Sequence, residues 1–179
     1  MPFDIRWLAP AAIVVSASPQ CFAAQYMTVE QARGLIFAKA KEFVPAPVTL
    51  SAEQVQLIEQ LAGVKVRAPK QPVWEARAGD SRLGWFILDQ VIGKHELITY
   101  AVGINTDGSL RQFQIVDYRE LYGYQVRELK WRDQFVGKTL ADPLEVGVDI
   151  LNISGATLSC RHVTEGIKRL LALYQVALR

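Results

Sequence analysis

The sequence predicts an α+β fold: a mainly antiparallel sheet with flanking helices and a long helix at the C-terminus. Three observations predict it. Two capping boxes, Thr28 with Gln31 and Ser51 with Gln54, each open an amphipathic stretch in the first third of the chain. Three or four segments rich in β-branched and aromatic residues then follow one another. The chain closes on an apolar stripe at helical spacing, made by Val163, Ile167, Leu170, Leu171, Tyr174 and Leu178.

Taken in order, residues 1–24 have the layout of a secretory signal peptide. Arg6 precedes an apolar stretch from Trp7 to Val15, and small residues follow, with cleavage expected after Ala23 or Ala24. The apolar run is short of the ~20 residues a membrane span needs and contains Pro10, so a cleaved signal is expected over a retained anchor. The expected location is therefore the periplasm. Residues 25–70 read as a small helical region. "TVEQARGLIFAKAKEF" is the first helix, broken by Pro45 and Pro47. "SAEQVQLIEQLAG" is the second, with Val55, Ile58, Leu61 and Ala62 on its apolar side and Gly63 as its stop.

Strands are expected at "VWEARA", "LGWFILDQVIG", "HELITYAVGI" and "LRQFQIVDY". The third alternates Ile98, Tyr100, Val102 and Ile104 against Thr99, Ala101 and Gly103. Asp107–Gly108 supplies a tight turn between the last two. "YQVRELKWRDQFVGK" reads as a helix with Trp131 and Phe135 four apart, and "TLADPLEVGVDILNI" as a connection. The final helix is expected from Ser159 to Leu178, with Glu165 and Arg169 in the favourable i,i+4 order.

Composition narrows the function. The chain has 179 residues, half of them hydrophobic, and a formal charge of +2, which suits a globular domain with a real core. No Lys/Arg cluster interleaves with aromatics, so no nucleic-acid partner is expected. Loss of Cys21 with the signal leaves Cys160 alone, without an internal disulfide. His95 and His162 are the only histidines and neither has a partner at metal-ligand spacing, so no metal site is expected.

The stretch that invites chemistry is "NISGATLSCRH". Ser154, Gly155, Ala156 and Thr157 are small, two carry hydroxyls, and they stand in front of the strongest helix. Backbone amides at a helix start attract anions, phosphate above all. Small residues allow close approach to the backbone. Taken alone, such a run also reads as a plain turn and cap.

Two further stretches accompany it, "YRELYGY" at residues 118–124 and "WRDQFVGK" at residues 131–138. Together the three resemble the FMN-binding domain family, found in flavin subunits of the sodium-pumping NADH:quinone reductase and the Rnf complex. "SGAT" matches that family's attachment motif. The second and third stretches are similar to its His-x-Glu-Thr-Pro-Gly-Leu and Trp-x-x-Gln-Phe-x-Gly-Lys segments. The resemblance covers residues 83 to 175 and places an FMN-binding domain at 71–179.

The resemblance implies FMN joined covalently to Thr157 through a phosphoester. It implies that Ser154, Gly155 and Ala156 serve recognition and packing. Ser159 and the helix start would hold the phosphate, and Glu120 and Gly123 would lie near the flavin. It also implies maturation by a Mg-dependent FMN transferase that uses FAD as donor, and a membrane or periplasmic redox partner. The implied function is electron transfer. The alternatives are a flavin-dependent reductase of a small substrate, with Tyr118, Tyr122 or His162 as proton donor, and a binding module that carries no flavin. Four positions depart from the pattern. Tyr118 replaces the His, Leu121 and Tyr122 replace Thr–Pro, and Leu151 stands where the family has Asp three residues before the motif Ser, with Asp149 and Asn152 flanking it.

Overall fold

The alternation in "HELITYAVGI" becomes the two faces of a sheet. The computed structural model describes residues 26–179, so the signal peptide read at 1–24 lies outside the described residues. Four long strands, β4 (Val73–Ala78), β5 (Ser81–Ile92), β6 (Leu97–Asn105) and β7 (Leu110–Tyr118), run as an antiparallel meander. A short strand near the N-terminus, β1 (Glu42–Pro45), adds antiparallel to the outer side of β4, which gives the order β1-β4-β5-β6-β7. Two further two-residue strands, β2 (Val48–Thr49) and β3 (Lys70–Gln71), pair separately.

Both capping boxes form as expected. Thr28 caps α1 (Val29–Ile36) and Ser51 caps α2 (Ala52–Ala62), each by exchanging two hydrogen bonds with the glutamine three residues on. Gly63 ends α2 in the left-handed conformation.

Two helical readings are corrected. The first helix stops at Ile36 instead of running to Phe43, and residues 42–45 are strand β1, so the segment 25–70 holds short strands as well as helices. Helix propensity is a weak prior, and here tertiary contacts override it. The outer edge of β4 offers unpaired backbone groups. Phe43, once in the strand, meets Phe37 and Phe86 edge-on at 6.3 and 5.8 Å.

The stretch 124–138 is likewise not one helix. A 3₁₀ turn (Tyr124–Arg127) is separated by Glu128, in extended conformation, from a single α-turn, α3 (Leu129–Arg132), which runs directly into another 3₁₀ turn (Asp133–Phe135). Side-chain contacts set this path. Phe113, Trp131 and Phe135 form an edge-to-face trio with centroids 5.1 to 6.0 Å apart. Arg132 donates to the carbonyls of Arg127 and Phe113, at 2.8 and 2.6 Å.

The C-terminal helix α4 (Thr157–Leu173) starts two residues earlier than expected and ends in a π turn (Tyr174–Leu178). It lies with α2 on the sheet face formed by Ile98, Tyr100, Val102, Ile104, Phe113 and Ile115, which is the main core. The opposite face, with Phe86, Ala101 and Val116, is covered by Ala32, Ile36 and Phe37 of α1 and the turn after it. Helix α4 sits very near the sheet. A Cβ on Gly166 would stand 2.1 Å from the Tyr100 hydroxyl, so this position needs a residue without a side chain.

Candidate functional site

Three segments meet at one end of the sheet. They are the β5–β6 turn (residues 93–96), the chain leaving β7 (residues 119–122) and the start of α4 (residues 155–159). Between them lies a cavity of about 510 Å³, a size ordinary for a small-molecule site. Lys94, His95 and Arg119 bring basic groups to its lining, and Gly155, Ala156 and Thr157 bring the small residues of the motif.

The start of α4 suits an anion. Ala156 is its N-cap and supplies no side-chain cap, and the first intrahelical bond runs from the Cys160 amide to the Ala156 carbonyl at 2.9 Å. The amides of Thr157, Leu158 and Ser159 therefore precede the ladder, with the positive end of the helix dipole behind them. Thr157 is exposed at the first helical position. Its Oγ1 accepts from Asn152 Nδ2 at 3.1 Å, and among the described residues it donates to no protein group. Gly155 takes φ +81°, which folds the chain tightly into the helix, and Ser154 is exposed beside it.

Ser159 is placed differently from the expectation. It lies inside the first turn and caps nothing; it is buried, with its Oγ 3.1 Å from the Tyr118 hydroxyl. Tyr118 also donates to the Tyr122 carbonyl at 2.6 Å. Burial raises the Tyr118 hydroxyl above its ordinary pKa, with the Ser159 contact working the other way. Tyr118 is thus a strut joining β7, the loop after it and α4.

Gly123 lies beneath the motif. Its φ is +86°, and a Cβ would stand 2.6 Å from Ala156 Cβ and 2.7 Å from the Tyr118 hydroxyl. Only glycine lets the loop pass so near the start of α4. Glu120 lines the cavity, but its Oε1 accepts from the His95 and Glu96 amides at 2.6 and 3.0 Å. Burial pushes its carboxyl up; the backbone amides of residues 94–96 outweigh that and hold it below the usual value. Its observed work is to fix the β5–β6 turn that forms one wall.

The stretch 131–138 anchors the connection that leads into the motif. Trp131 Nε1 donates to the Leu151 carbonyl at 2.8 Å, and Gln134 Oε1 accepts from the Leu151 amide at 2.7 Å. Lys138 pairs with Asp149 at 2.8 Å. Asp149 in turn accepts from the Glu145 and Leu144 amides. Burial raises the Asp149 carboxyl, but those amides and Lys138 bring it below its ordinary value. The acid displaced from the position of Leu151 is therefore committed to its own loop. Asn152, noted in the sequence only as a flanking residue, is the side chain that reaches the Thr157 hydroxyl. Nothing in its spacing signals this, because the connection has no regular period.

Cys160 is fully buried and burial raises its thiol pKa, so it behaves as a small core residue. His162 Nδ1 lies 2.6 Å from the Ile92 carbonyl and ties α4 to the β5–β6 turn. Tyr122 is 78% exposed and Leu121 84%, both at the cavity mouth.

These are the elements that the comparison singles out. Residues 93–172 match the FMN-binding domain family. No curated protein matches the chain. The matched stretch begins in the β5–β6 turn and ends within α4, so all three walls of the cavity fall inside it. The match supports a flavin-binding protein with FMN as ligand. The residues present fit that ligand. Uncapped amides and Lys94 suit a phosphate, and exposed Leu121 and Tyr122 offer apolar surface for a flat ring.

Proposed function

We propose that this protein is an exported, periplasmic electron-transfer flavoprotein that carries FMN covalently on Thr157 through a phosphoester. One observation carries the reading: the Thr157 hydroxyl is exposed at the uncapped start of α4 and opens onto the cavity between the β5–β6 turn and the β7 exit. Ser154, Gly155 and Ala156 leave that approach bare for a second protein's active site.

In maturation by a Mg-dependent FMN transferase with FAD as donor, Thr157 Oγ attacks the phosphorus on the flavin side of the pyrophosphate. The Oγ–P bond forms, the P–O–P anhydride bond breaks, AMP leaves, and the hydroxyl proton passes to the transferase or to solvent. No electron changes hands in this step. Asn152 orients the oxygen by donating to it, and so leaves the departing proton unengaged. After attachment, the helix amides and the dipole offset the phosphodiester charge. The bound flavin supplies the redox chemistry; the chain tethers it, and Leu121, Tyr122 and the β5–β6 turn bound the space it occupies.

A covalent link suits an exported carrier. A reversible ligand occupies its site only in proportion to its free concentration, and a phosphoester removes that dependence. The reductase alternative finds less support. Of its three proton-donor candidates, the Tyr118 hydroxyl is buried against Tyr122 and Ser159, and the His162 Nδ1 is held by a carbonyl.

The test is intact mass after co-expression with a transferase. A gain of one FMN less water, abolished in Thr157→Ala, supports the proposal. A processed polypeptide of unmodified mass under those conditions overturns it and favours the binding module.

A further inference from the structure

A second cavity, of about 460 Å³, lies between α2, β3, β5 and the C-terminal half of α4. It takes no part in the flavin reading. Leu50, Ile58 and Leu173 form an apolar wall. Arg67 and Lys70 stand exposed at its mouth and make no ion pair with any described residue. On the floor, Arg169 and Asp89 form an ion pair, with side-chain exposures of only 7% and 10%, and Tyr100 donates to the same Asp89 oxygen.

The floor is only partly satisfied. Arg169 gives one nitrogen, Nη2, to Asp89; no described residue accepts from its Nε or Nη1, and neither nitrogen is sealed from solvent. With donors left over and reachable from solvent, this guanidinium can take an acceptor oxygen from water or from a ligand. Among the lining residues three cations face one carboxylate. An apolar chamber with a positive mouth and free donors at its base selects a ligand with an apolar body and an anionic head.

We propose that this cavity is a second ligand site, distinct from the flavin site, for a small aliphatic or aromatic monocarboxylate. The apolar body lies against Leu50, Ile58 and Leu173, and the carboxylate pairs with the exposed cations or the free Arg169 donors. The site stands apart from the Thr157 chemistry, so it holds whether or not FMN is attached.

The test titrates the full-length protein, with and without FMN, by calorimetry using octanoate, n-octanol and octylammonium. Saturable octanoate binding at one site per chain is expected, with the other two at least about tenfold weaker. The double substitution Arg67→Gln with Lys70→Gln should weaken octanoate by about tenfold, the combined loss of two exposed charge contacts. Leu97→Trp, at the rim, should narrow the entrance and weaken it too. Both variants alter exposed positions, and an unchanged circular dichroism spectrum and urea midpoint confirm that each is folded. Three results would each overturn the proposal: no saturable octanoate binding, equal binding of octanol, or octanoate binding indifferent to both variants. Binding of phosphatidylglycerol vesicles without octanoate binding would assign the exposed cations to a membrane surface instead, and would also overturn it.

Discussion

At its first turn α4 presents an exposed threonine, a cap without a side chain and three amides outside the helical ladder. At Arg169, about 18 Å further along at 1.5 Å per residue, the same helix buries a guanidinium against Asp89 and Tyr100. The first end leaves its polar groups open. The second ties a guanidinium nitrogen and a phenol to one carboxylate oxygen. The contrast follows from what each end must do. On the proposed function the Thr157 hydroxyl has to be reachable by a second enzyme, and an exposed side chain contributes little to folding. A buried ion pair can hold α4 on β5 because nothing needs to enter between its partners.

Substitutions can break that contrast or sharpen it. The largest effect is all-or-none: Thr157→Ala should abolish the FMN mass while leaving the urea midpoint within experimental scatter, since the side chain is exposed. Asp89→Ala should do the reverse. It strands Arg169 and the Tyr100 hydroxyl in a buried setting and should cost about 3–5 kcal/mol by chemical denaturation, yet the folded fraction should still accept FMN. Loss of flavin in Asp89→Ala at full folding would show that the two ends are coupled.

Gly123→Ala falls between them. The added methyl meets Ala156 Cβ and the Tyr118 hydroxyl at a positive φ, and should lower stability by about 2 kcal/mol. Because the strain lands on the motif, flavinylation should slow as well, which a time course of intact mass would show.

The Glu120 carboxylate gives a pH signature confined to the flavin end. Its folded pKa lies below its unfolded one, so its contribution is present above the unfolded value and is lost as pH falls through the folded value. Hydrogen exchange at the His95 and Glu96 amides should therefore speed up, relative to the intrinsic rate, as pH drops below the usual carboxylate range. Glu120→Gln should show fast exchange at neutral pH already. The smallest effect is expected for Ser159→Ala. Tyr118 keeps its bond to the Tyr122 carbonyl, so the loss should be about 1 kcal/mol or less; a large loss of FMN loading in that variant would return Ser159 to the phosphate.

The elements legible in advance were those whose signal is local. Both capping boxes, the Gly63 stop, the β6 alternation and the α4 stripe depend on residues within a turn or two of one another. Strand β1 was not legible, because its pairing partner β4 lies some thirty residues away and Phe43 gains its ring contacts only there. The site divides in the same way. Thr157, Ser154, Gly155 and Ala156 were singled out by one contiguous motif, and the structure places Gly155, Ala156 and Thr157 on the cavity lining. The contacts that Ser159, Glu120 and Gly123 make were not legible, since each is made with a distant segment: Tyr118, the β5–β6 turn and Ala156.

By itself, then, the amino-acid order determined the α+β class, the starts of the two capped helices and the small-residue run at the mouth of the last one. Those depend on short-range hydrogen bonding and on the periods at which side chains alternate. Tertiary structure alone decided that Asn152 reaches Thr157, that Asp149 is held by Lys138, and that Asp89 meets Arg169 across eighty residues. The physical reason is that a side chain's partner is fixed by where the packed sheet and helices bring it, and no spacing along the chain encodes that position.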